Sequence, residues 1–238
     1  RAPHATACPA AVAAKGELVV SLDKMNHMGE VSKLSRTVRV QAGAITAAVH
    51  EHCQRVGLTW PVDFASAGSS QIGGNIATNA GGVRVVRYGL TRQWVLGLQV
   101  VLMSGEVLEL NGDLEKNNTG IDLRQLFIGS EGTLGIITEA TLRLEPLPQA
   151  TAVAFLGAEN LGAVLSVFEA ARQQPNLTIQ AFEYLDQDCL DVVLKHGGGA
   201  RPLESDCPSY VLVEVEAESE DRAQEDLATW LEACFEKE

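Results

Sequence analysis

Ser66-Ala-Gly-Ser-Ser-Gln-Ile-Gly-Gly-Asn-Ile-Ala-Thr-Asn-Ala-Gly-Gly82 is the run that decides the fold, and it holds five glycines and no charge. Because its side chains are small, the run offers backbone N–H groups with little steric cover, which suits an anionic group held against the main chain. Its middle part, Ile72 to Asn79, predicts a short helix that Gly81-Gly82 would end. A plain surface loop is the alternative for a glycine-rich run.

Two familiar phosphate-binding motifs do not account for this run. Gly68 and Gly73 have the outer spacing of a Walker A loop, but Gly74 and Asn75 stand where that loop needs Lys and Ser or Thr. No G-x-G-x-x-G follows a predicted strand, as a Rossmann dinucleotide site would require. The sequence therefore argues against a P-loop NTPase and gives no support to a Rossmann site.

Other motifs surround the run in a fixed order: Pro61-Val-Asp63, Gln71-Ile-Gly-Gly-Asn75, Ala77-Thr-Asn-Ala-Gly-Gly82, Arg87-Tyr-Gly89, Asn118-Thr-Gly120, Asp122-Leu123 and Gln125-Leu-Phe-Ile-Gly-Ser-Glu-Gly-Thr-Leu-Gly-Ile-Ile-Thr138. In these motifs the chain resembles the FAD-binding domain of the vanillyl-alcohol-oxidase-like (PCMH-type) flavoproteins, and within them the D-2-hydroxyacid dehydrogenase branch. The resemblance extends from about Leu18 to near the end of the chain and is weaker after Pro148. Its motifs are long and correctly ordered, which makes it specific.

The resemblance implies FAD as the cofactor and a set of residues that hold it. The residues implied to line the flavin and its phosphates are Pro61, Ser69, Ser70, Gly73, Gly74, Asn75, Thr78, Asn79, Ala80 and Gly81. Those implied to run beside the adenosine half are Glu131, Gly132, Leu134, Gly135, Ile136 and Ile137. Tight entry into a strand is the alternative for Gly132 and Gly135, and a solvated turn carboxylate is the alternative for Glu131.

Nearby polar residues have more than one interpretation. Arg84 and Arg87 suit either the balance of phosphate charge or a solvated surface. Asn118 and Asp122 are predicted to cap loops, since both residue types bond to nearby backbone.

The predicted elements change in character at Pro146-Leu-Pro148, where consecutive X-Pro units favour an extended connector. We expect an α+β protein in which residues 1–147 form the second part of a PCMH-type FAD-binding domain and residues 148–238 form part of an α+β, ferredoxin-like cap domain. Before the boundary the pattern predicts strands at 17–22, 37–41 and 133–144, a helix from Gly43 to Gly57, and a hairpin of 95–103 with 106–110. After it, strands at 152–156, 178–184 and 210–216 alternate with helices at 160–173, 186–195 and from Ser219 onward.

Composition narrows the classes of partner and the compartment. A formal net charge of −13 without a Lys/Arg-rich run argues against nucleic acid and against an anionic membrane surface. No apolar stretch approaches the ~20 residues of a membrane span. The five cysteines lack a C-x-x-C pair, which favours unpaired thiols in a reducing compartment, and Cys53 falls on the apolar face of its predicted helix. We expect a cytoplasmic protein.

Two parts of the family pattern are not seen in the sequence. The first glycine-rich pyrophosphate loop should precede Leu18, where Ala5 to Lys15 stands instead. The basic and histidine residues that the family uses for its substrate carboxylate and a divalent metal are expected beyond Glu238. The catalytic residues are therefore unassigned, no metal site is predicted within this chain, and the chain alone is not expected to turn over substrate.

As a member of this branch, the protein would oxidise a D-2-hydroxyacid of the 2-hydroxyglutarate, lactate or glycolate type to the 2-oxoacid. Hydride would pass to the flavin, and electrons would then leave to a separate acceptor. The protein could assemble as a homodimer. The alternative is a fragment that binds FAD or has a structural role but has no catalytic activity. An alcohol or sugar oxidase of the same superfamily is a third interpretation, which matches the Asn-Ala-Gly-Gly and Asn-Thr-Gly motifs less well.

Overall fold

The computed structural model describes residues 15–16, 18–197 and 199–235, which form two compact units. The first unit comprises the described residues up to Gly82 together with Tyr88–Leu147, and the second comprises Val83–Arg87 with the described residues from Pro148 onward. The expectations for residues 1–14 lie outside the described part of the chain. The division into an FAD-binding domain and a cap remains a prediction about what the two units do.

A four-stranded antiparallel sheet with the order β1-β5-β3-β4 forms the centre of the first unit. Its strands are β1 (Thr37–Gln41), β3 (Val95–Val101), β4 (Val107–Asn111) and β5 (Ile136–Arg143), and a short pair joins β2 (Leu58–Thr59) to β6 (Glu145–Pro146). The predicted hairpin is confirmed as β3–β4, and Gly105 in its turn has a φ of 86° that suits glycine. The helical segments are α1 (Thr46–Gln54), α2 (Ile72–Ala77), α3 (Val85–Tyr88), a 3-10 turn at Thr91–Trp94 and α4 (Arg124–Phe127).

The predicted strand at 17–22 is wrong for its described part. Residues 18–22 belong to no strand, and Leu18 is 93% exposed. At the end of this segment the carbonyl of Leu22 accepts a bond from the N–H of Met25 at 2.8 Å and so begins a turn. An apolar run becomes a strand only where a neighbouring strand completes its hydrogen bonds, and no such neighbour lies beside it in the described residues.

Three element boundaries differ from the prediction for identifiable reasons. Helix α1 begins at Thr46 rather than Gly43, because Ile45 is extended and forms a bridge with Gln71. Helix α2 ends before the predicted Gly81, because Asn79 already takes the left-handed conformation with a φ of 48°. Strand β5 starts later than predicted, because residues 130–133 form a turn in which the N–H of Thr133 donates to the carbonyl of Ser130.

The second unit alternates strands and helices as predicted. Strands β7 (Ala150–Ala158), β8 (Thr178–Asp186) and β9 (Ser209–Ala217) form an antiparallel sheet in the order β7-β9-β8, and helices α5 (Leu161–Gln173), α6 (Gln187–Gly197) and α7 (Glu220–Phe235) connect or follow them. Asn160 caps α5 by accepting the N–H of Ala163 at 3.0 Å. Ser219 does the same for α7 through the N–H of Arg222 at 3.2 Å, as its sequence predicts.

Each unit has its own apolar core. In the first unit the fully buried Trp60, Ile72 and Ile76 pack with the sheet, and in the second Trp230 packs against Val213. Cys53 belongs to the first core, and desolvation by burial raises the pKa of its thiol to about 12. No helix in the described part of the chain is both long enough and apolar enough to cross a membrane.

Candidate functional site

The first half of the glycine-rich run is bonded to the rest of its own unit. The N–H groups of Ser69 and Ser70 donate to the carbonyl of Ser66 at 2.9 and 2.8 Å. The N–H groups of Ile72 and Gly73 donate to carbonyls of Ala44 and Ala42, at 3.0 and 2.8 Å. These four donors are therefore used within the protein, in contrast to the exposed donors that the composition suggested.

Buried side chains fasten the run to helix α1. The hydroxyl of Thr46, a residue that is 0% exposed, lies 2.8 Å from the hydroxyl of Ser70, and it accepts the side-chain amide of Asn75 at 2.7 Å. Thr46 also donates to the carbonyl oxygen of Ser70 at 3.1 Å. Ser70 and Asn75 are both predicted to touch the cofactor. In the structure the side chains of both residues hydrogen-bond to the hydroxyl of Thr46. Their observed role is to hold the shape of the run.

Close packing explains two of the glycines. A Cβ on Gly73 would lie 2.7 Å from the Cβ of Ala42, and one on Gly82 would overlap the carbonyl oxygen of Asp63. Gly68, in contrast, has open space at that position. Gly73 and Gly82 are thus required by contacts inside the first unit, whatever else the run holds.

At the C-terminal end of α2, the glycine-rich run bonds to the second predicted cofactor segment, which begins at Glu131, and to the residues just before it. The N–H of Gly129 donates to the carbonyl of Ile76 at 3.1 Å, and the N–H of Glu131 donates to the carbonyl of Ala77 at 2.8 Å. Both carbonyl groups lie at the C-terminal end of the helix, and that of Ile76 also accepts the N–H of Asn79 at 3.0 Å. Residues that are about 50 positions apart in sequence therefore form one continuous backbone surface.

The turn at Glu131-Gly132 shapes that surface. Both residues have positive φ values, 52° and 78°, and both are exposed. A Cβ on Gly132 would meet nothing within 4 Å, so this glycine is required by its backbone conformation and leaves its outer face open.

Residues 134–137 alternate between the surface and the core as they enter β5. Leu134 and Ile136 are 48% and 39% exposed, whereas Ile137 is 6% exposed. Gly135 is buried, and its Cβ would lie 2.8 Å from a methyl carbon of Val100, which matches the tight strand entry weighed as its alternative role. Of these four residues, Leu134 and Ile136 present an apolar surface to a ligand.

The remaining predicted cofactor residues are Thr78, Ala80, Gly81 and Pro61. The Thr78 hydroxyl donates to the carbonyl of Gly74 at 3.0 Å, and the carbonyl of Ala80 accepts the N–H of Thr91 at 3.1 Å. Gly81 is exposed, and Pro61 is buried beside Trp60 and Val62 in the core segment that leads to the run.

Arg92 is a part of the site that sequence reasoning missed. It lies in the 3-10 turn after α3, its guanidinium donates from Nη2 to the carbonyl of Ile128 at 2.7 Å, and its backbone N–H donates to the side chain of Asn79 at 3.0 Å. Its only signal in the sequence is a single cation shortly after the Arg87-Tyr-Gly89 motif. Main-chain carbonyl partners leave no sequence signature, so this role could not be predicted.

The two arginines considered for phosphate charge belong to the second unit. Arg84 lies 3.3 Å from Glu214, and Arg87 lies 2.6 Å from Glu216, both on strand β9. The Gln180 side chain also donates to Glu216, at 3.1 Å. The charges that these arginines balance in the structure are carboxylates of that sheet.

A second arginine that bonds to main-chain carbonyl groups, Arg124, follows β4 in the sequence. Arg124 forms two 2.8 Å hydrogen bonds to the carboxylate of Asp122 and donates to the carbonyl of Val95 at 2.8 Å. The hydrogen bond from Arg124 is the main reason that the pKa of Asp122 is lowered. The carboxylate of Asp122 thus binds neighbouring side chains, those of Arg124 and Gln125, whereas the prediction was a cap on nearby backbone. No group of three or more metal-ligating side chains occurs among the described residues.

The exposed part of this surface has the chemistry that FAD needs. Open backbone at Gly132 gives a planar group close access, and the side chains of Leu134 and Ile136 give it an apolar wall. The hydroxyl-bearing Ser69 and the adjacent Gly68 are exposed and offer polar contacts. The residues present therefore fit an FAD molecule. Several of the residues that were predicted to contact it are buried beneath this surface.

Two protein families match separate segments of the chain. A family described as FAD binding domain matches residues 4–111, and one described as FAD linked oxidases, C-terminal domain, matches residues 147–238. The chain is 51% identical over 228 residues to a D-2-hydroxyglutarate dehydrogenase of Stutzerimonas stutzeri, and this match covers 96% of the chain and 48% of the relative. It is 41% identical to the mitochondrial D-2-hydroxyglutarate dehydrogenase of Bos taurus over 91% of the chain and 40% of the relative.

Solved structures agree on the fold. An alkyldihydroxyacetonephosphate synthase structure matches with a TM-score of 0.69 and 22% sequence identity, over 90% of this chain and 41% of that one. A similarity at this level of identity concerns the fold alone. The chain spans about half the length, or less, of the curated relatives it matches.

Proposed function

From its matches to an FAD binding domain and to the C-terminal domain of FAD linked oxidases, we propose that the chain belongs to the FAD-linked oxidoreductases and that the protein oxidises a D-2-hydroxyacid to the corresponding 2-oxoacid. The observation that carries the proposal is the junction at the end of α2, where Gly129 and Glu131 bond to Ile76 and Ala77 and so assemble both predicted cofactor segments. The names of the similar dehydrogenases support the substrate class.

We assign the predicted cofactor residues to two layers. The exposed and half-exposed members are proposed to touch FAD; they are Ser69, Gly74, Thr78, Asn79, Ala80, Gly81, Glu131, Gly132, Leu134 and Ile136. The buried members are proposed to hold the surface in shape; they are Pro61, Ser70, Gly73, Asn75, Gly135 and Ile137. When bound, FAD supplies the group that accepts hydride, while this chain binds and orients it.

The roles of the two units follow from the same assignment. We propose that the first unit is the FAD-binding domain and that the second is the cap that the family uses over its substrate. The groups that bind the substrate carboxylate and accept the hydroxyl proton stay unassigned. Electrons are proposed to leave to a separate acceptor, since similar proteins are named dehydrogenases.

A reducing compartment is part of the proposal. Cys53, Cys189 and Cys207 are free thiols. This supports a cytoplasmic location, although similar mammalian proteins are named mitochondrial. A homodimer stays a prediction, which equilibrium sedimentation would test.

The test is anaerobic titration of the purified chain with FAD, followed by D-2-hydroxyglutarate, D-lactate or glycolate. Binding of FAD with bleaching by one of these acids, and not by the L-enantiomer of a chiral one, would support the full proposal. FAD binding without bleaching by any of the three would support the alternative of a cofactor-binding chain without turnover. A chain that does not bind FAD would contradict both.

A further inference from the structure

The guanidinium of Arg92 bonds to two main-chain carbonyl groups and one amide side chain. Its Nη1 donates to the carbonyl of Gln125 at 3.2 Å and also contacts the side-chain oxygen of that residue, while Nη2 donates to the carbonyl of Ile128 at 2.7 Å. Three of the five N–H donors of this half-buried guanidinium are therefore bound within the protein. The guanidinium fixes the position of the residues that follow α4.

The backbone of the same residue fixes the other side of the junction. The N–H of Arg92 donates at 3.0 Å to the side chain of Asn79, whose φ of 48° ends α2. Gly129 lies between them: a Cβ there would be 3.4 Å from the Cβ of Asn79 and 3.6 Å from Nη2 of Arg92. One residue therefore contacts both segments at the point where they meet.

We propose that Arg92 is a positioning residue for the cofactor, which sets the spacing between the end of α2 and residues 128–132. The inference rests on the proposed function, because the segments it aligns are those assigned to FAD. The planar fork of arginine is needed, since two carbonyl groups on different residues must be bound from one side chain. Lysine has the charge without the fork.

The experiment compares Arg92→Met and Arg92→Lys with the unsubstituted chain and with Arg55→Met. Arg55 is the matched control, because its exposed guanidinium pairs with Glu51 on α1. Three quantities are measured: amide hydrogen exchange at Gly129 and Glu131 without FAD, the Kd for FAD from flavin fluorescence, and the visible absorption band of the bound flavin.

We expect both Arg92 variants to speed exchange at the two amides and to weaken FAD binding, each by about tenfold, as loss of charge-assisted hydrogen bonds implies. The flavin band should shift in both variants, and Arg55→Met should change none of the three. A purely structural arginine would lower the melting temperature while leaving the Kd and flavin band of the folded protein unchanged. That result would overturn the inference.

Two further outcomes are decisive. Full recovery of exchange and affinity in Arg92→Lys would show that charge alone suffices and would overturn the positioning role, and this variant carries the test if Arg92→Met does not fold. Absence of FAD binding by the unsubstituted chain would overturn the proposed function, whereas unchanged exchange beside intact FAD binding would overturn this inference alone.

Discussion

The N–H of Glu131 donates to the carbonyl of Ala77 at 2.8 Å, and this bond joins the glycine-rich run to a turn far along the chain. It uses a donor from a left-handed residue to satisfy a carbonyl at the end of a short helix. The same turn exposes Gly132 and leads into Leu134. The candidate site is therefore a product of tertiary contact rather than of one loop.

Thr46 is predicted to contribute to stability through its hydroxyl. In Thr46→Val the buried hydroxyl of Ser70 and the amide of Asn75 lose their shared partner, which should lower the free energy of unfolding by about 1–3 kcal/mol. Urea denaturation of both proteins measures the difference. Thr46→Ser, which keeps the hydroxyl, should lose clearly less. An unchanged free energy of unfolding in Thr46→Val would mean that the bonds of the hydroxyl do not contribute to stability.

Substitution by alanine should destabilise the chain at one glycine of the run and have little effect at another. Gly73→Ala places a Cβ 2.7 Å from that of Ala42 and should destabilise the chain by about 1–3 kcal/mol, because this packing leaves no room. Gly68→Ala adds its Cβ in open space and should change stability by no more than about 1 kcal/mol. The midpoints of urea unfolding compare the two. Similar midpoints would refute the close approach of Gly73 to Ala42.

The pair of Asp122 and Arg124 should make stability depend on pH in the acid range. Because the folded pKa of Asp122 is lowered, its contribution is present above its ordinary pKa and is lost as pH falls through the lowered value. Asp122→Asn should therefore be less stable than the unsubstituted chain near neutral pH, with the gap closing in acid. Urea unfolding from pH 7 to pH 2 measures this gap. A gap independent of pH would exclude the ion pair as its cause.

The sequence predicted most of the elements, and its errors have physical causes. The run at Thr37–Gln41 forms a strand because β5 lies beside it, whereas the more apolar residues 18–22 have no such neighbour among those described. Local composition does not reveal which strands pair. Asn79 ended α2 two residues before the glycines because asparagine tolerates the left-handed region.

For the site, motif order singled out two segments that the structure brings together, but it did not predict which of their side chains are buried. Ser70 and Asn75 have the polar groups expected of ligand contacts, yet Thr46 from another helix binds both. Arg92 was missed because its partners are main-chain carbonyls, which every residue has. Such partnerships are set by tertiary geometry and are invisible in the order of residues.

The affinity of the chain for FAD after a single charge is added to the proposed surface tests the central claim most directly. Leu134→Asp places a carboxylate on an exposed apolar residue of that surface, and Leu34→Asp does the same at a 99% exposed turn residue elsewhere in the first unit. Neither change disturbs the core. With flavin fluorescence as the readout, Leu134→Asp should raise the Kd for FAD by about tenfold or more, through repulsion of the phosphates and loss of apolar contact, while Leu34→Asp leaves it unchanged. Equal FAD affinity in the two variants and the unsubstituted chain would contradict the placement of the cofactor on this surface.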